Sequence, residues 1–397
     1  MTKSYDWIVV GAGFTGASLS YELAKQGLWV LLIEQHTHLQ GATRYSYGGL
    51  AFWSGTTDLT RQICAEGEAI HRNLSAELEA DTHFHDLDLL MTIGPDEDAD
   101  AIYQFYQQFA KQPQRISPQA AGELEPLLNT EAIAAALVIP HGQIEPELAT
   151  QAYVNAFLRV GGELYVGQVT GLSYGQLGQA TGVICEQASF GAAHTVICAG
   201  AFSRALLKSA GIPTRVYFTH AEIIETAPQS DLQLRTMVSQ ADLKRFDLER
   251  SASIDALDPL WDEPGHEPAP PILDAGAIQL PDGRFRIGQL SRTLTDLEAA
   301  VERPSSEAQI RAGVRPLLPA IADLPGEWCR CQIAYSADQL PLVGAMPGVE
   351  GLHLFTGFSS PLAIAPALAR RFAAQAVGGE DSLLVPLSPQ RFAGAIS

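Results

Sequence analysis

Three glycines and an acid open the chain with chemistry that their spacing makes legible. Gly11, Gly13 and Gly16 stand in the hexapeptide GAGFTG, with Phe14 and Thr15 inside it. A turn of this kind bends tightly at the first glycine, lets backbone approach a pyrophosphate at the second, and lets a helix pack closely at the third. Glu34, followed by Gln35, closes the run LLIEQ about 20 residues on, where a carboxylate accepts hydrogen bonds from both hydroxyls of an adenosine ribose. These residues predict a bound dinucleotide.

The next stretch, GATRYSYGGLAFWSG (Gly41 to Gly55), narrows the choice. A nicotinamide enzyme typically continues with further alternating strands and helices, whereas here a loop rich in glycine and aromatic residues follows the second strand at once. Thr43 and Arg44 can hold a pyrophosphate, Arg44 with charge as well as hydrogen bonds. Gly48 and Gly49, leading into Leu50, bring main chain against a ring too broad for side chains. Tyr45, Tyr47, Phe52 and Trp53 then wall the ring, or the space in front of it where Tyr47 would meet a substrate. FAD fits this pattern better than NAD. Near the other end, GLHLFTGFSSPLAIAPALARRFAAQAV reads as strand, turn and helix. Free N–H groups at that helix start suit the electron-rich pyrimidine edge of a flavin, although Ser359 or Ser360 can equally be an ordinary cap.

The elements that must position these groups follow from periodicity. DWIVV and WVLLIEQ are strand-like and ASLSYELAKQGL between them is helix-like, which makes a βαβ unit with the glycines at its turn. The segments Asp86 to Ile93, Ala221 to Ala227 and Gly283 to Leu290 predict strands of an antiparallel sheet. Asp98 to Gln112 and Ser306 to Ile321 predict covering helices. Ala256 to Gly276 holds five prolines and no periodicity, so an exposed loop is expected there, either a connection or a lid.

Composition bounds the partners. The chain has 397 residues, 46% of them hydrophobic, enough for one large core or two medium ones. Its 45 acidic against 25 basic residues give a net charge of −20, which repels nucleic-acid backbones and anionic membrane surfaces. No apolar leader precedes the first strand, and no apolar run reaches the roughly 20 residues of a membrane span, so a cytoplasmic location is expected. The odd number of cysteines, mostly in apolar contexts, predicts reduced thiols. The pairs His36/His38 and His83/His85 lack companions at metal-ligand spacing, and no metal is expected.

The order VVGAGFTG, LLIEQ, GATRYSYGGL, VIPHGQIEPELATQAYVNAFLRVGGELYVGQVTGL, HTVICAGAFS and SADQLPLVG with LHLFTGFSS resembles the D-amino-acid oxidase family of FAD enzymes, which includes glycine oxidase and sarcosine oxidase. The resemblance implies an α/β fold in which a Rossmann-like FAD-binding domain is interleaved with an antiparallel-sheet substrate domain. It places the FAD domain at 1–80, 145–212 and 326–397 and the substrate domain at 81–144 and 213–325. It also implies oxidation of the C–N bond of an amine or amino acid, with oxygen or another acceptor taking the electrons; the alternative is a non-catalytic flavoprotein that uses FAD structurally. Carried over by position, Val169 holds the adenine, Ala199 and Gly200 lie against the cofactor, and Gly357, Phe358, Ser359, Ser360, Pro361 and Leu362 cup the flavin edge.

One departure from the family stands out. Its substrate-anchoring arginine aligns with Ile333, five residues before Asp338, so a substrate carboxylate needs another partner or the substrate is a neutral or cationic amine. Arg284, Arg286 and Arg292 are the nearby candidates, Arg292 being the one to test. His220, on a predicted strand, is a candidate to face the flavin. Cys331 stands where sarcosine oxidase tethers FAD covalently, with a plain core thiol as the alternative.

Overall fold

Trp7, Ile8, Val9 and Val10 are all buried in the strand Ser4–Val10, as befits a strand covered on both faces, by helices on one and by further strands with the short helix Ser203–Ser209 on the other. In the computed structural model, which describes residues 4–242 and 244–393, this strand lies inside an eight-stranded sheet. Val30–Glu34 runs parallel to it on one side and Ser189–Ile197 on the other, with Leu352–Thr356 parallel beyond that. Parallel neighbours require a crossover, supplied between the first two strands by the helix Phe14–Lys25. That helix packs against Pro146–Arg159 and Pro361–Ala376, and Leu19, Leu23, Phe157, Leu368 and Phe372 fill the layer between them and the sheet. Segments from the beginning, middle and end of the chain thus make one Rossmann-like layer.

The second sheet has ten strands and is mostly antiparallel. Val216–Thr226 pairs antiparallel with both Gly326–Ser336 and Phe285–Arg292, and His85–Ile93 pairs antiparallel with Ala135–Gln143. The short strand Met237–Gln240 joins His85–Ile93 in parallel. Because side chains alternate across a sheet, one face of these strands presents Leu89 and Met91, Met237, Ala221 and Ile223, and Cys331 and Ile333 to a common cavity. The architecture is the α/β one read from sequence, with two sheets interleaved along the chain. Gly49–Leu50 and Gly326–Ser336 belong to the second sheet although they fall in the segments 1–80 and 326–397. The outer limits of those segments, 1–3 and 394–397, lie outside the described residues, as does Leu243.

The proline-rich segment starts in a helix rather than a free loop, while Glu263 to Pro271 is the mostly exposed loop expected. Asp255–Asp262 forms a 3-10 helix whose Trp261 is buried against Tyr217 and Phe218 and donates its indole N–H to the Ala252 carbonyl over 2.9 Å. The buried Arg204 binds Asp258 and Asp262, each at 3.0 Å, and the buried Arg215 binds Asp255 at 2.7 Å. Two arginines distant in sequence therefore staple the segment down. All five cysteines are unpaired thiols. No helix among the described residues is long and apolar enough to cross a membrane.

Candidate functional site

A cavity of about 2000 Å³ runs from the glycine turn to the open face of the second sheet. At the turn, Gly11 has φ +102°, and a Cβ there would lie 2.7 Å from the Cys198 carbonyl oxygen, so no other residue fits. A Cβ on Gly16 would lie 1.8 Å from the Gly11 carbonyl oxygen; this glycine seats the helix on the strand and does not line the cavity. Gly13 meets only the Thr43 hydroxyl, at 3.2 Å, and is open toward the cavity with Phe14 and Thr15. Glu34 accepts the backbone N–H of Ala12 at 2.8 Å and of His36 at 3.1 Å, and the Thr43 hydroxyl accepts the N–H of Phe14 at 3.1 Å. These bonds fix the turn, the acid and the aromatic loop relative to one another.

Two helix starts reach this cavity with no bond from their own capping residue: Phe14–Lys25, entered from Gly13 with only the Phe14 N–H taken by Thr43, and Pro361–Ala376, entered from Ser360. Neither Ser359 nor Ser360 caps its helix, and the Ser359 hydroxyl is buried with no hydrogen-bond partner among the described residues. One helix start suits a phosphate and the other an electron-rich ring edge. Gln35, Val169, Ala199, Gly200 and the run Gly357 to Leu362 also line the cavity. The donor set fits FAD: a glycine turn for the pyrophosphate, a carboxylate for the ribose, and bare backbone where a flat ring must lie.

Three residues expected on the cofactor face elsewhere. Arg44 gives both terminal nitrogens to Glu225, at 3.0 and 2.8 Å, with Glu147 at 3.2 Å from its Nε, and it is absent from the cavity wall. Burial raises the Glu225 carboxyl, but the hydrogen bonds and charges of Arg44 and Arg286 outweigh that and hold it down at about 2. Leu50 is core, and a Cβ on Gly48 would lie 2.1 Å from the Ile144 carbonyl oxygen, which makes Gly48 a packing position. The ion pair between Arg44 and Glu225 spans 181 positions of sequence, a distance over which no local pattern carries information.

On the substrate side Tyr47, Cys331 and Ile333 line the cavity, whereas His220 and the three candidate arginines do not. Alternation along Val216–Thr226 sends His220 and Glu222 to the face opposite Ala221 and Ile223; the His220 ring makes a 3.0 Å contact through Nε2 with the Asp296 carbonyl, and burial pulls its pKa down to about 4. Arg292 binds the buried Glu222 at 2.8 Å. Arg284 binds Glu225 at 3.0 Å. Arg286, fully buried, binds Glu225 at 2.8 Å and the carbonyls of Ser46 and Arg44, so it clamps the aromatic loop to the sheet.

Residues that sequence reasoning passed over occupy the wall instead. Arg245 lines the cavity, with Nη1 on Glu249 at 2.8 Å and Nη2 3.4 Å from the Ser359 carbonyl. His141 lines it beside Gly49, and its Nε2 has no partner among the described residues; the Tyr47 hydroxyl and Oδ1 of Asp242 are likewise buried and unpartnered. Burial raises the Tyr47 phenol and keeps it protonated, a donor. The apolar run ALVI was a strand signal that ended short of His141, and nothing local marked either His141 or Arg245.

The family described as FAD dependent oxidoreductase (DAO) matches residues 6–375. Glycine oxidase of Geobacillus kaustophilus (strain HTA426) is 30% identical over 239 residues, 56% of this chain and 62% of that enzyme, so the chain spans about three-fifths of this relative in the match. The uncharacterised oxidoreductase YurR of Bacillus subtilis (strain 168) is 24% identical over 409 residues, 100% of both chains. Among solved structures, glycine oxidase from Geobacillus kaustophilus superposes with a TM-score of 0.79 at 22% identity, covering 98% of this chain and 99% of that one. L-proline dehydrogenase from P. horikoshii superposes with a TM-score of 0.78 at 19% identity, covering 99% and 98%. At these identities the superpositions establish a shared fold.

Proposed function

The chain belongs to the DAO family of FAD-dependent oxidoreductases, and from that premise we propose that it oxidises the carbon–nitrogen bond of an amine or amino acid. FAD, its cofactor, supplies when bound a two-electron acceptor for the C–H bond beside the nitrogen, leaving an imine, and oxygen or another acceptor then takes the electrons. The supporting observation is that one cavity joins the glycine turn and Glu34 to the sheet face around Tyr47, Met91 and Met237. A cofactor and a substrate laid in it share a wall.

In this reading Gly11, Gly13, Phe14 and Thr15 bind the pyrophosphate, Glu34 and Gln35 the ribose, and Val169 the adenine. Ala199, Gly200 and Gly357 to Leu362 hold the flavin. The segments 1–80, 145–212 and 326–397 form the cofactor unit and 81–144 and 213–325 the substrate unit, with Gly49–Leu50 and Gly326–Ser336 lent to the second sheet. Tyr47 and His141 donate hydrogen bonds to the substrate. Neither serves as a base, because burial keeps the phenol protonated and holds His141 down at about 3. The amine must therefore arrive uncharged. Burial also pushes the Cys331 thiol up to about 12, which leaves thiolate scarce at neutral pH and favours FAD held without a covalent bond. Acid precipitation should release the yellow colour.

Anaerobic mixing of the purified holoprotein with a panel of amines and amino acids tests the reading. Bleaching of the oxidised flavin band by at least one C–N substrate is the expected result. A flavin that stays oxidised with every member would return the chain to the non-catalytic alternative.

A further inference from the structure

Ordinary ligand pockets enclose about 300–1,000 Å³, and this cavity, at about 2000 Å³, has room for a second molecule of that size beside a dinucleotide. The wall away from the glycine turn is strongly apolar. Met91 and Met237 project from adjacent strands, and Trp53 and Tyr106 meet at 5.9 Å between ring centroids. Phe105 closes the series on the helix Ala99–Tyr106, lining the cavity while 47% exposed, which makes its ring the most accessible of the series. Tyr47 Oη, Nε2 of His141 and Oδ1 of Asp242 are unpartnered polar atoms on residues of the same lining.

We propose that the substrate is an amine or amino acid carrying an aromatic or bulky apolar group, which lies against Trp53, Phe105 and Met237, with Met91 and Tyr106 packed closed behind them, while its polar end meets Tyr47 and His141. The proposal rests on the oxidative reading above and names the substrate class for that site. Flexible methionine side chains beside rigid aromatic rings adapt to an apolar group of varied outline. The wall therefore selects for size and apolarity more than for one shape.

Two matched pairs of probes test this: phenylalanine against glycine, and N-methylbenzylamine against dimethylamine. Each is titrated into the holoprotein, with binding read from the melting temperature and, separately, from the saturation of anaerobic flavin reduction. We expect the aromatic member of at least one pair to bind about tenfold or more tighter than its small partner. Phe105→Asp, at an exposed position that leaves folding intact, should cut that preference several-fold while sparing the small partner. Equal binding within both pairs, or a preference indifferent to Phe105→Asp, overturns the proposal. Binding with the predicted preference but no reduction by any probe would sink the oxidative reading alone, because the melting shift reports occupancy without chemistry.

Discussion

Trp53 donates its indole N–H to Nδ1 of His141 over 3.1 Å. An indole nitrogen can only donate, so Nδ1 must accept and the imidazole proton sits on Nε2. Burial holds His141 at about 3, which keeps the ring neutral at any working pH. The pair thus presents a fixed N–H donor beside Gly49, on the loop that follows the cofactor turn. Trp53→Phe removes the partner that selects this tautomer. Loss of the bond should cost about 1 kcal/mol of stability, and nitrogen shifts of His141 should change from one tautomer to a mixture. A single unchanged tautomer in the variant would remove Trp53 from this role.

Gly11 and Gly13 separate fold from cofactor. Gly11→Ala forces a Cβ to 2.7 Å from the Cys198 carbonyl oxygen at a positive φ, so it should lower stability by about 1–3 kcal/mol even without FAD. Gly13→Ala meets only the Thr43 hydroxyl at 3.2 Å, and its backbone is extended, so the apoprotein should melt within a degree or two of the parent. Its flavin content should nevertheless fall sharply, because the added methyl stands where a pyrophosphate approaches. Full flavin occupancy in Gly13→Ala would remove that turn from the cofactor site.

Buried histidines give the fold a definite pH dependence. Burial lowers His71 and His220 to about 4 and His141 to about 3, against about 6.5 for an exposed histidine. Above pH 6.5 neither folded nor unfolded chain binds these protons, and the full stability is present. As pH falls from 6.5 toward 4, the unfolded chain takes up protons the folded one refuses, so each histidine removes about 1.4 kcal/mol per unit. Asp274 opposes them, since burial raises it to about 6 and the folded chain keeps its proton where the unfolded chain has lost it. His71→Gln isolates one histidine, keeping a donor for the Leu362 carbonyl that its Nε2 contacts at 2.7 Å. Urea unfolding of the variant should show a slope in that window shallower by about 1.4 kcal/mol per unit; identical slopes would show that His71 does not titrate as its burial demands.

What the sequence revealed divides by range. The glycine turn and Glu34 were legible because each is a local demand of backbone geometry, written within a few residues, whereas Ser359 or Ser360 read equally well as an ordinary cap and neither caps the helix. Ile333 was singled out through the family resemblance, which sets an anchoring arginine five residues before Asp338, and its side chain lines the cavity. Arg44 misled because its guanidinium is claimed by Glu225, and the start of the proline-rich segment misled because Arg204 pins Asp258 and Asp262 from outside. His141 went unnoticed because its meaning depends on Trp53, 88 positions away. Side-chain pairing between distant segments decided each of these cases, and composition or periodicity is blind to it.

The same long-range pairing moves the search for a substrate anchor from Arg292 to Arg245. Arg292 is held by Glu222 on the sheet face turned from the cavity, where Trp328 also donates to that carboxylate at 3.1 Å. Arg292→Ala strips a buried carboxylate of its charged partner and should cost about 3 kcal/mol of stability, with KM for any substrate unchanged within twofold. Arg245 lies in the wall, next to the turn at Ser359, and its Nη2 has only a 3.4 Å contact to occupy it, so a donor is left for a carboxylate. Arg245→Gln should raise KM for carboxylate-bearing substrates by about tenfold, a loss of about 1.4 kcal/mol of binding, and leave KM for simple amines alone. Equal effects on both substrate types would mean that Arg245 shapes the pocket through Glu249 rather than by touching the substrate. An Arg292 variant with a selectively raised KM would restore it as the anchor that stands in for the apolar Ile333.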